Sequence, residues 1–354
     1  MKPESDVILR VGVAGYGSTG QIRRQHIDAH PRMRTVAVCD RTVTTPGETS
    51  DGVRMWSDWE QLLEEDLDVL FVCLWNDIAP TVAMEGLKRG LHVFSEKPPG
   101  RTVEDVIKVR EVEKEYPHLK LKYGFNHRYH QSVHDALKIV QSGELGSVVD
   151  LRGVYGKSKM IRFDQDWRTK REIAGGGILL DQGIHMVDMM RLFAGEFVDI
   201  HSYVSNAFWC HDVEDNAYVL MRTAEGAVAM LHSSATQWRH RFSLDITLTE
   251  GGLSLSGILS SSRSYGAETL TVVRREDDDR GDPREVTTRY NEDHSWAEEI
   301  EEFARAIIAN REVRHGSSLE ALKTMQLVYE IYAADRDWAS RWLDSAEMLP
   351  GMAK

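Results

Sequence analysis

Val11-Gly12-Val13-Ala14-Gly15-Tyr16-Gly17-Ser18-Thr19-Gly20 carries the spacing Gly-x-Gly-x-x-Gly. An apolar run, 7–13, leads into it, and a segment able to form a helix, 20–29, leaves it. Strand, glycine turn and helix in that order form a cradle for a dinucleotide. One glycine permits the tight turn, one lets the backbone approach a pyrophosphate, and one lets the helix pack against the strand. The helix N-terminus then offers unpaired N–H groups and a partial positive charge to the phosphates.

The next strand strengthens this reading. Thr35-Val36-Ala37-Val38-Cys39 is β-prone and ends in Asp40, 20 residues after Gly20. An acid at that distance suits the adenosine ribose hydroxyls. A carboxylate there repels a 2′-phosphate, so NAD is preferred, with NADP as the alternative. Arg41 is adjacent, placed to cover adenine or to reach that phosphate.

The alternation continues to about residue 125. Apolar runs at 35–39, 68–75, 91–95 and 119–125 are separated by helical segments at 58–65, 77–89 and 102–116. Short continuous apolar runs fit a parallel sheet covered on both faces. The fold class is therefore a doubly wound Rossmann domain over 1–125, followed by an α+β domain over 126–354. In the second domain a helix at 129–142 precedes a strand at 148–155, and Gly175-Gly176-Gly177 opens a helix at 178–194. Hairpin patterns at 216–233 and 244–256, with strands near 269–274 and 285–290, predict an open, mostly antiparallel sheet. The tail, 294–347, is helical, with Trp296, Ile300, Phe303 and Ile307 at core spacing. The charged run 275–284 reads as a solvated hairpin loop.

Composition narrows the function classes. The chain has 354 residues, 42% of them hydrophobic, and a net charge of −13. That length allows two domains of about 150 residues or more each. An acidic surface disfavours nucleic acid and anionic membranes as partners. The three cysteines, Cys39, Cys73 and Cys210, are far apart, as free thiols of a reducing cytosol would be. Met1 to Asp6 is polar, and no stretch reaches about 18 apolar residues. The expectation is a soluble cytoplasmic protein.

Two further clusters carry chemistry. The strand at 91–95 runs into Glu96-Lys97-Pro98, beyond the carboxyl end of a strand where doubly wound sheets bind ligands. Lys97 offers a compact cation for an oxygen gaining charge during hydride transfer; a surface lysine before a proline turn reads equally well. Asp181 and His185 lie four apart and share a face if 178–194 is helical. Histidine is suited to taking a hydroxyl proton near neutral pH; a structural histidine beside a solvated aspartate is the plainer reading.

Together these motifs resemble the Gfo/Idh/MocA family of glucose–fructose oxidoreductase and inositol dehydrogenase, over nearly the whole chain. The resemblance rests on the glycine turn, Glu96-Lys97-Pro98, Asp181-x-Gly183-x-His185, Trp167-Arg168, and the tail from Ser318-Leu319-Glu320 to Tyr329-Glu330-Ile331-Tyr332. It implies an NAD(P)-dependent oxidoreductase acting on a secondary hydroxyl of a sugar. In that reading His185 is the base, Lys97 anchors the cofactor ribose and the reacting oxygen, and Asp181 holds or tunes His185. It also implies a homodimer or homotetramer through the C-terminal sheet. The expected cofactor set is Gly15, Tyr16, Gly17, Ser18, Thr19, Gly20, Asp40, Arg41, Asn76, Glu96 and Lys97. The expected substrate set is Lys97, Asn126, Arg128, Tyr155, Trp167, Arg168, Asp181 and His185. Where relatives commonly have Thr-Pro-Asn and then a histidine, this chain has Leu74-Trp75-Asn76 and Ala79. Trp75 is expected to fill or shape the cofactor cleft.

Residues 152–172 hold seven basic and three acidic side chains, an edge that could attract an anionic sugar such as a phosphate, a uronate or a nucleotide sugar. Arg239-His240-Arg241 beside Trp238 forms a smaller basic group. No metal is expected, because no Cys-x-x-Cys or His-Glu-x-x-His spacing occurs. Two other functions stay open: glycoside hydrolysis by transient oxidation and elimination on tightly held NAD, and a non-catalytic cofactor-binding regulator.

Overall fold

Leu9–Ala14 and Val69–Val72 are buried on both faces, as central strands of a parallel sheet must be. The structure, a computed structural model, describes residues 7–158, 167–260, 262–276 and 281–343. The chain opens with β1 (Leu9–Ala14), α1 (Ser18–Ala29), β2 (Met33–Cys39), β3 (Gly47–Glu48), β4 (Arg54–Trp56), α2 (Trp59–Leu62) and β5 (Val69–Val72). α3 (Ala79–Lys88), β6 (His92–Glu96), α4 (Val103–Glu115) and β7 (Leu121–Gly124) follow. The seven strands run in the order β3-β4-β2-β1-β5-β6-β7. All neighbours are parallel except β3 with β4. After β1 the chain builds to one side through β2, then crosses to β5 on the other. The glycine turn leaves β1 at that switch point, where such sheets take their ligands.

Helix starts are set by local chemistry. In α4 the Thr102 hydroxyl accepts from the Asp105 N–H while the Asp105 carboxylate accepts from the Thr102 N–H, a reciprocal cap. In α1 the N-cap is Gly17, without a side-chain cap and without an acid in the first turn. That uncapped first turn leaves donors for a ligand.

The second part contains α5 (Gln131–Ser142), β8 (Val148–Gly156), α6 (Arg171–Ala174), α7 (Ile184–Ala194), β9 (Phe197–Ser205), β10 (Asn216–Thr223) and β11 (Val228–Ser234). β12 (Arg241–Leu248), β13 (Gly251–Ser256), β14 (Glu268–Arg274) and β15 (Glu285–Tyr290) complete its sheet, and α8 (Ser295–Ile308), α9 (Ser318–Ala334) and α10 (Arg336–Trp342) end the described chain. Eight strands run β15-β14-β13-β12-β8-β11-β10-β9. Among the described residues of this sheet, only β8 and β11 pair in parallel. α7 is buried along most of its length and lies close on β8, where a Cβ on Gly153 would meet Met190 Cε at 2.5 Å.

Contacts divide the chain into two compact units. The first runs to Asn126 and includes Trp296–Lys323; the second is His127–Ser295 with the chain from Thr324 on. The sequence reading gave the whole tail to the second domain. Instead, Ile300, Phe303 and Ala304 of α8 join Val11, Val13, Phe71 and Phe94 in the first unit's core. Phe303 meets Phe71 and Phe94 edge-on, with centroids 6.1 and 5.6 Å apart. Arg23 is fully buried beneath this helix. Its guanidinium lies 4.4 Å from the Phe94 ring and 4.3 Å from the Trp296 ring, and it pairs with Glu96 at 2.5 Å and Glu299 at 2.7 Å. A buried guanidinium is tolerable only with such partners, and removing one costs about 3–5 kcal/mol.

Other differences are local. The helix expected over 58–65 shrinks to Trp59–Leu62, and β9, an edge strand of mixed polarity, was not anticipated. Part of the charged run 275–284, residues 277–280, and the tail beyond 343 lie outside the described residues.

Candidate active site

The three glycines of the turn each meet a different constraint. Gly15 has φ +91°, and a Cβ there would sit 2.3 Å from the Cys73 carbonyl oxygen. A Cβ on Gly20 would sit 2.0 Å from the Gly15 carbonyl oxygen. Gly17 is different: a Cβ there would meet nothing within 4 Å. Two glycines are therefore required by the fold, while Gly17 leaves open space over the first turn of α1. That is the cradle a pyrophosphate needs, and the residues present fit a dinucleotide.

Asp40 is fixed by the same turn. Its Oδ2 accepts from the Tyr16 N–H at 3.0 Å, and its Oδ1 accepts from the Thr42 N–H at 3.0 Å and the Thr42 hydroxyl at 2.7 Å. Ser18 is exposed and Thr19 half-buried at the helix start. Arg41 lies 3.9 Å over the Trp75 ring. The residue that departs from the family pattern thus carries the arginine, a cation–π contact that holds it beside the turn. Asn76 is buried, and Lys97 is half-buried directly after β6. The Lys97–Pro98 peptide is cis. Glu96, expected at the cofactor, turns one carboxylate oxygen to Arg23.

In the second unit the three-glycine run has a structural origin that sequence did not reveal. Glu214 is buried, and its two oxygens accept from the Gly177 N–H at 2.7 Å, the Leu179 N–H at 2.9 Å and the Tyr332 hydroxyl at 2.7 Å. Burial pushes this carboxyl up, against those hydrogen bonds. A Cβ on Gly177 would lie 2.0 Å from the Glu214 carbonyl oxygen, so only glycine fits. The chain then makes a π-turn, Leu179–Gly183, before α7 begins at Ile184. The single regular helix expected from 178 is therefore broken between Asp181 and His185. π-turns of this kind re-aim side chains and recur at functional sites.

Asp181 is clasped by two cations. Lys157 Nζ donates to Oδ2 at 3.1 Å and Arg168 Nε to Oδ1 at 3.3 Å. Arg168 also lies 4.5 Å over the Trp167 ring. His185 is buried and stacks on His127 with centroids 3.7 Å apart and planes 13° from parallel. His127 Nε2 is 3.0 Å from the Tyr155 hydroxyl. Burial holds the Tyr155 phenol well above its ordinary value, with Tyr265 and Asp181 adding to it, so the hydroxyl keeps its proton. The Tyr155 ring meets Phe242 and Tyr265 edge-on at 5.2 and 5.3 Å, and the Tyr265 hydroxyl donates to Gln182 Oε1 at 3.1 Å.

The structure thus brings Tyr155, Trp167, Arg168, Asp181 and His185 into one neighbourhood, as the sequence reading grouped them. It adds His127, Lys157, Gln182 and Tyr265; Lys157 had a signal in its place in the basic run, and His127 in the stretch Asn126-His127-Arg128-Tyr129, whose side chains can hydrogen-bond a substrate. Lys159, Arg162, Asp164 and Asp166 of that run lie outside the described residues. Arg128, expected at the substrate, makes a buried ion pair. Its Nε and Nη2 donate to the two Asp188 oxygens at 2.6 Å each, and Thr324 donates to the same carboxylate at 3.1 Å. That buried pair anchors α7. Asn126 is half-buried at the start of the turn that holds His127. Among the described residues no three His, Cys, Asp or Glu side chains are grouped to hold a metal, and no helix is long and apolar enough to cross a membrane.

Comparison with known proteins agrees with this geometry. Residues 9–124 match the profile of an oxidoreductase family with an NAD-binding Rossmann fold, and residues 133–254 match the GFO/IDH/MocA C-terminal domain. A levoglucosan dehydrogenase of Pseudarthrobacter phenanthrenivorans is 26% identical over 56% of this chain and 57% of its own length. A D-xylose 1-dehydrogenase (NADP(+)) of Haloferax volcanii is 25% identical over 90% of this chain and 95% of its own. A levoglucosan dehydrogenase solved with NADH and L-sorbose superposes with a TM-score of 0.81 at 21% identity, covering 94% of this chain and 98% of the other. With both halves matched in order, and with the glycine cradle and the Asp181–His185 segment each built as described, the chain belongs to the GFO/IDH/MocA family of oxidoreductases, and its first unit is that family's NAD-binding Rossmann domain.

Proposed function

We propose that this protein oxidises a secondary hydroxyl of a neutral sugar or sugar derivative with NAD. One observation carries the reading: a carboxylate clasped by Lys157 and Arg168 stands four residues from a buried histidine held flat against His127. His185 takes the hydroxyl proton as the carbon loses hydride, giving a ketone and a protonated imidazole. Stacking on His127 fixes the plane of the base, so its lone pair is aimed before substrate arrives. Lys97 anchors the cofactor ribose and balances charge on the reacting oxygen. Asp181 accepts from a sugar hydroxyl, while its two cations hold its orientation. The bound nicotinamide supplies the hydride acceptor.

The substrate's charge follows from the same cluster. Two of the seven basic residues of 152–172, Lys157 and Arg168, are turned onto Asp181. The Asp181 carboxylate between them suits a sugar hydroxyl, which donates to it, and repels a phosphate placed against it. The named activities of the relatives, on levoglucosan and on D-xylose, support a sugar. Asp40, with both oxygens engaged, supports NAD over NADP. The outward face of the second sheet exposes Tyr203, Tyr218, Leu220 and Met230, which supports a homodimer through that face.

The test is absorbance of NADH at 340 nm across neutral and anionic sugars. Turnover on a neutral sugar, lost in Lys97→Met and His185→Ala, is expected. Intact turnover in both variants, or activity only on phosphorylated sugars, overturns the proposal.

A further inference from the structure

We propose that Phe208, Trp209 and Trp238 form a binding subsite for a second ring, so that the preferred substrate is a glycoside or disaccharide. The inference rests on the site reading above, because it takes the reacting ring to sit at Asp181 and His185.

The three rings form one edge-on cluster, with centroids 4.9 Å apart for Phe208–Trp209, 5.4 Å for Phe208–Trp238 and 6.4 Å for Trp209–Trp238. Phe208 is 55% exposed and Trp238 66% exposed. Such a grouping of large aromatic surface in water is unfavourable unless something covers it in use.

The cluster is held on a rigid frame. The buried Asp215 carboxylate accepts from the Phe208 and Trp209 N–H groups at 2.9 Å each, and from the Asn216 amide at 2.9 Å. The Trp209 indole N–H donates to the Ala235 carbonyl at 2.9 Å. Trp209 also packs on Ile178, Val213 and Ala235. A preorganised apolar platform loses little entropy when a ring lies on it.

Its location ties it to Asp181 from two sides. The Gln237 N–H donates to the Lys157 carbonyl at 3.0 Å, and His240 Nε2 lies 3.1 Å from the Ser158 hydroxyl. Trp238 therefore sits between two anchors on Lys157 and Ser158, and the Lys157 ammonium is the group that clasps Asp181. On the other side Trp209 rests on Ile178, three residues before Asp181. A pyranose has an apolar C–H face that matches an aromatic ring, and hydroxyls at its edge that match Arg239 beside Trp238. The platform's chemistry fits the non-reacting ring better than a charged group or a lipid tail.

Calorimetric titration of the NAD-loaded enzyme with disaccharides and their constituent monosaccharides tests this. At least one disaccharide should bind tenfold or more tightly than its monosaccharide, about 1.4 kcal/mol. In Trp238→Ala, and again in Phe208→Ala, that ratio should fall to about one. Equal affinity for every disaccharide and monosaccharide overturns the proposal, as does a ratio that survives both substitutions. Light scattering closes the remaining route: if either variant turns a larger assembly into a smaller one, the cluster is covered by a second copy of the chain and the subsite fails. Binding is read without turnover. A disaccharide preference with no NAD reduction would sink the proposed activity and leave the subsite, whereas NAD reduction with no preference would do the reverse.

Discussion

Replacing Gly17 and Gly20 separately with alanine should divide cofactor binding from folding. Gly17 has an extended backbone, φ −73° and ψ −164°, which alanine adopts freely, and its Cβ would meet nothing within 4 Å. Losing glycine at an N-cap costs only about 0.5 kcal/mol, roughly 1–2 °C of melting temperature in a domain of this size. The methyl group would, however, stand where a pyrophosphate must approach. Losing one charge-assisted hydrogen bond there is worth about 1.5–3 kcal/mol, roughly a 10- to 150-fold rise in the dissociation constant for NADH. At Gly20 the outcome reverses. A Cβ 2.0 Å from the Gly15 carbonyl oxygen is about 1 Å too close, so the turn must move. That overlap costs about 2–3 kcal/mol, offset by about 1 kcal/mol of helix propensity gained in α1. A net loss of roughly 1–2 kcal/mol lowers the melting temperature by about 2–8 °C. Titration of NADH by fluorescence and thermal melting of the ligand-free protein read the two effects. Wild-type NADH affinity in a stably folded Gly17→Ala would refute the placement of the phosphates over α1.

Arg128→Met should destabilise the fold by about 3–5 kcal/mol, because it leaves the Asp188 carboxylate buried without its bidentate partner; a raised KM with an unchanged urea midpoint would instead restore Arg128 to the substrate. Asp40→Ala should narrow the preference for NAD over NADP by about tenfold or more in kcat/KM, since the carboxylate's repulsion of a 2′-phosphate is removed; an unchanged ratio would show that Asp40 does not face the ribose. His92 should make stability depend on acid. Its Nδ1 accepts the Lys120 N–H at 2.9 Å, and burial, reinforced by the Lys120 charge, pulls the imidazole down from 6.5 to about 4. The folded value lies below the unfolded one, so the contribution is complete above pH 6.5 and is lost as pH falls through about 4. His92→Asn should therefore flatten the fall in melting temperature between those values, and an identical slope would count against it. Tyr203, 80% exposed on β9, should matter for assembly: Tyr203→Lys is expected to shift the mass by light scattering toward the monomer, and an unchanged mass would place the interface elsewhere.

Much of the first unit was legible because its determinants are local. A strand, a glycine turn and a helix are fixed within about twenty residues, and Gly20 is required by the Gly15 carbonyl of the same turn, whereas Gly15 is required by the Cys73 carbonyl, which only the fold brings near. Period and length likewise revealed most strands. β9 escaped because Phe197–Ser205 mixes polar and apolar residues at a sheet edge, where neither face demands full burial. The helix spacing of Asp181 and His185 was legible, but not the π-turn between them, which depends on Glu214 reaching across the chain.

Sequence by itself determined the fold class and the dinucleotide turn. Tertiary structure alone decided which charges meet. Lys157 and Arg168 found Asp181, Arg128 found Asp188 sixty positions away, and α8 left its sequence neighbours to complete the first unit's core. The physical reason is that an amphipathic face or a charge specifies a kind of partner, whereas its identity is settled only when burial makes every unpaired polar group costly.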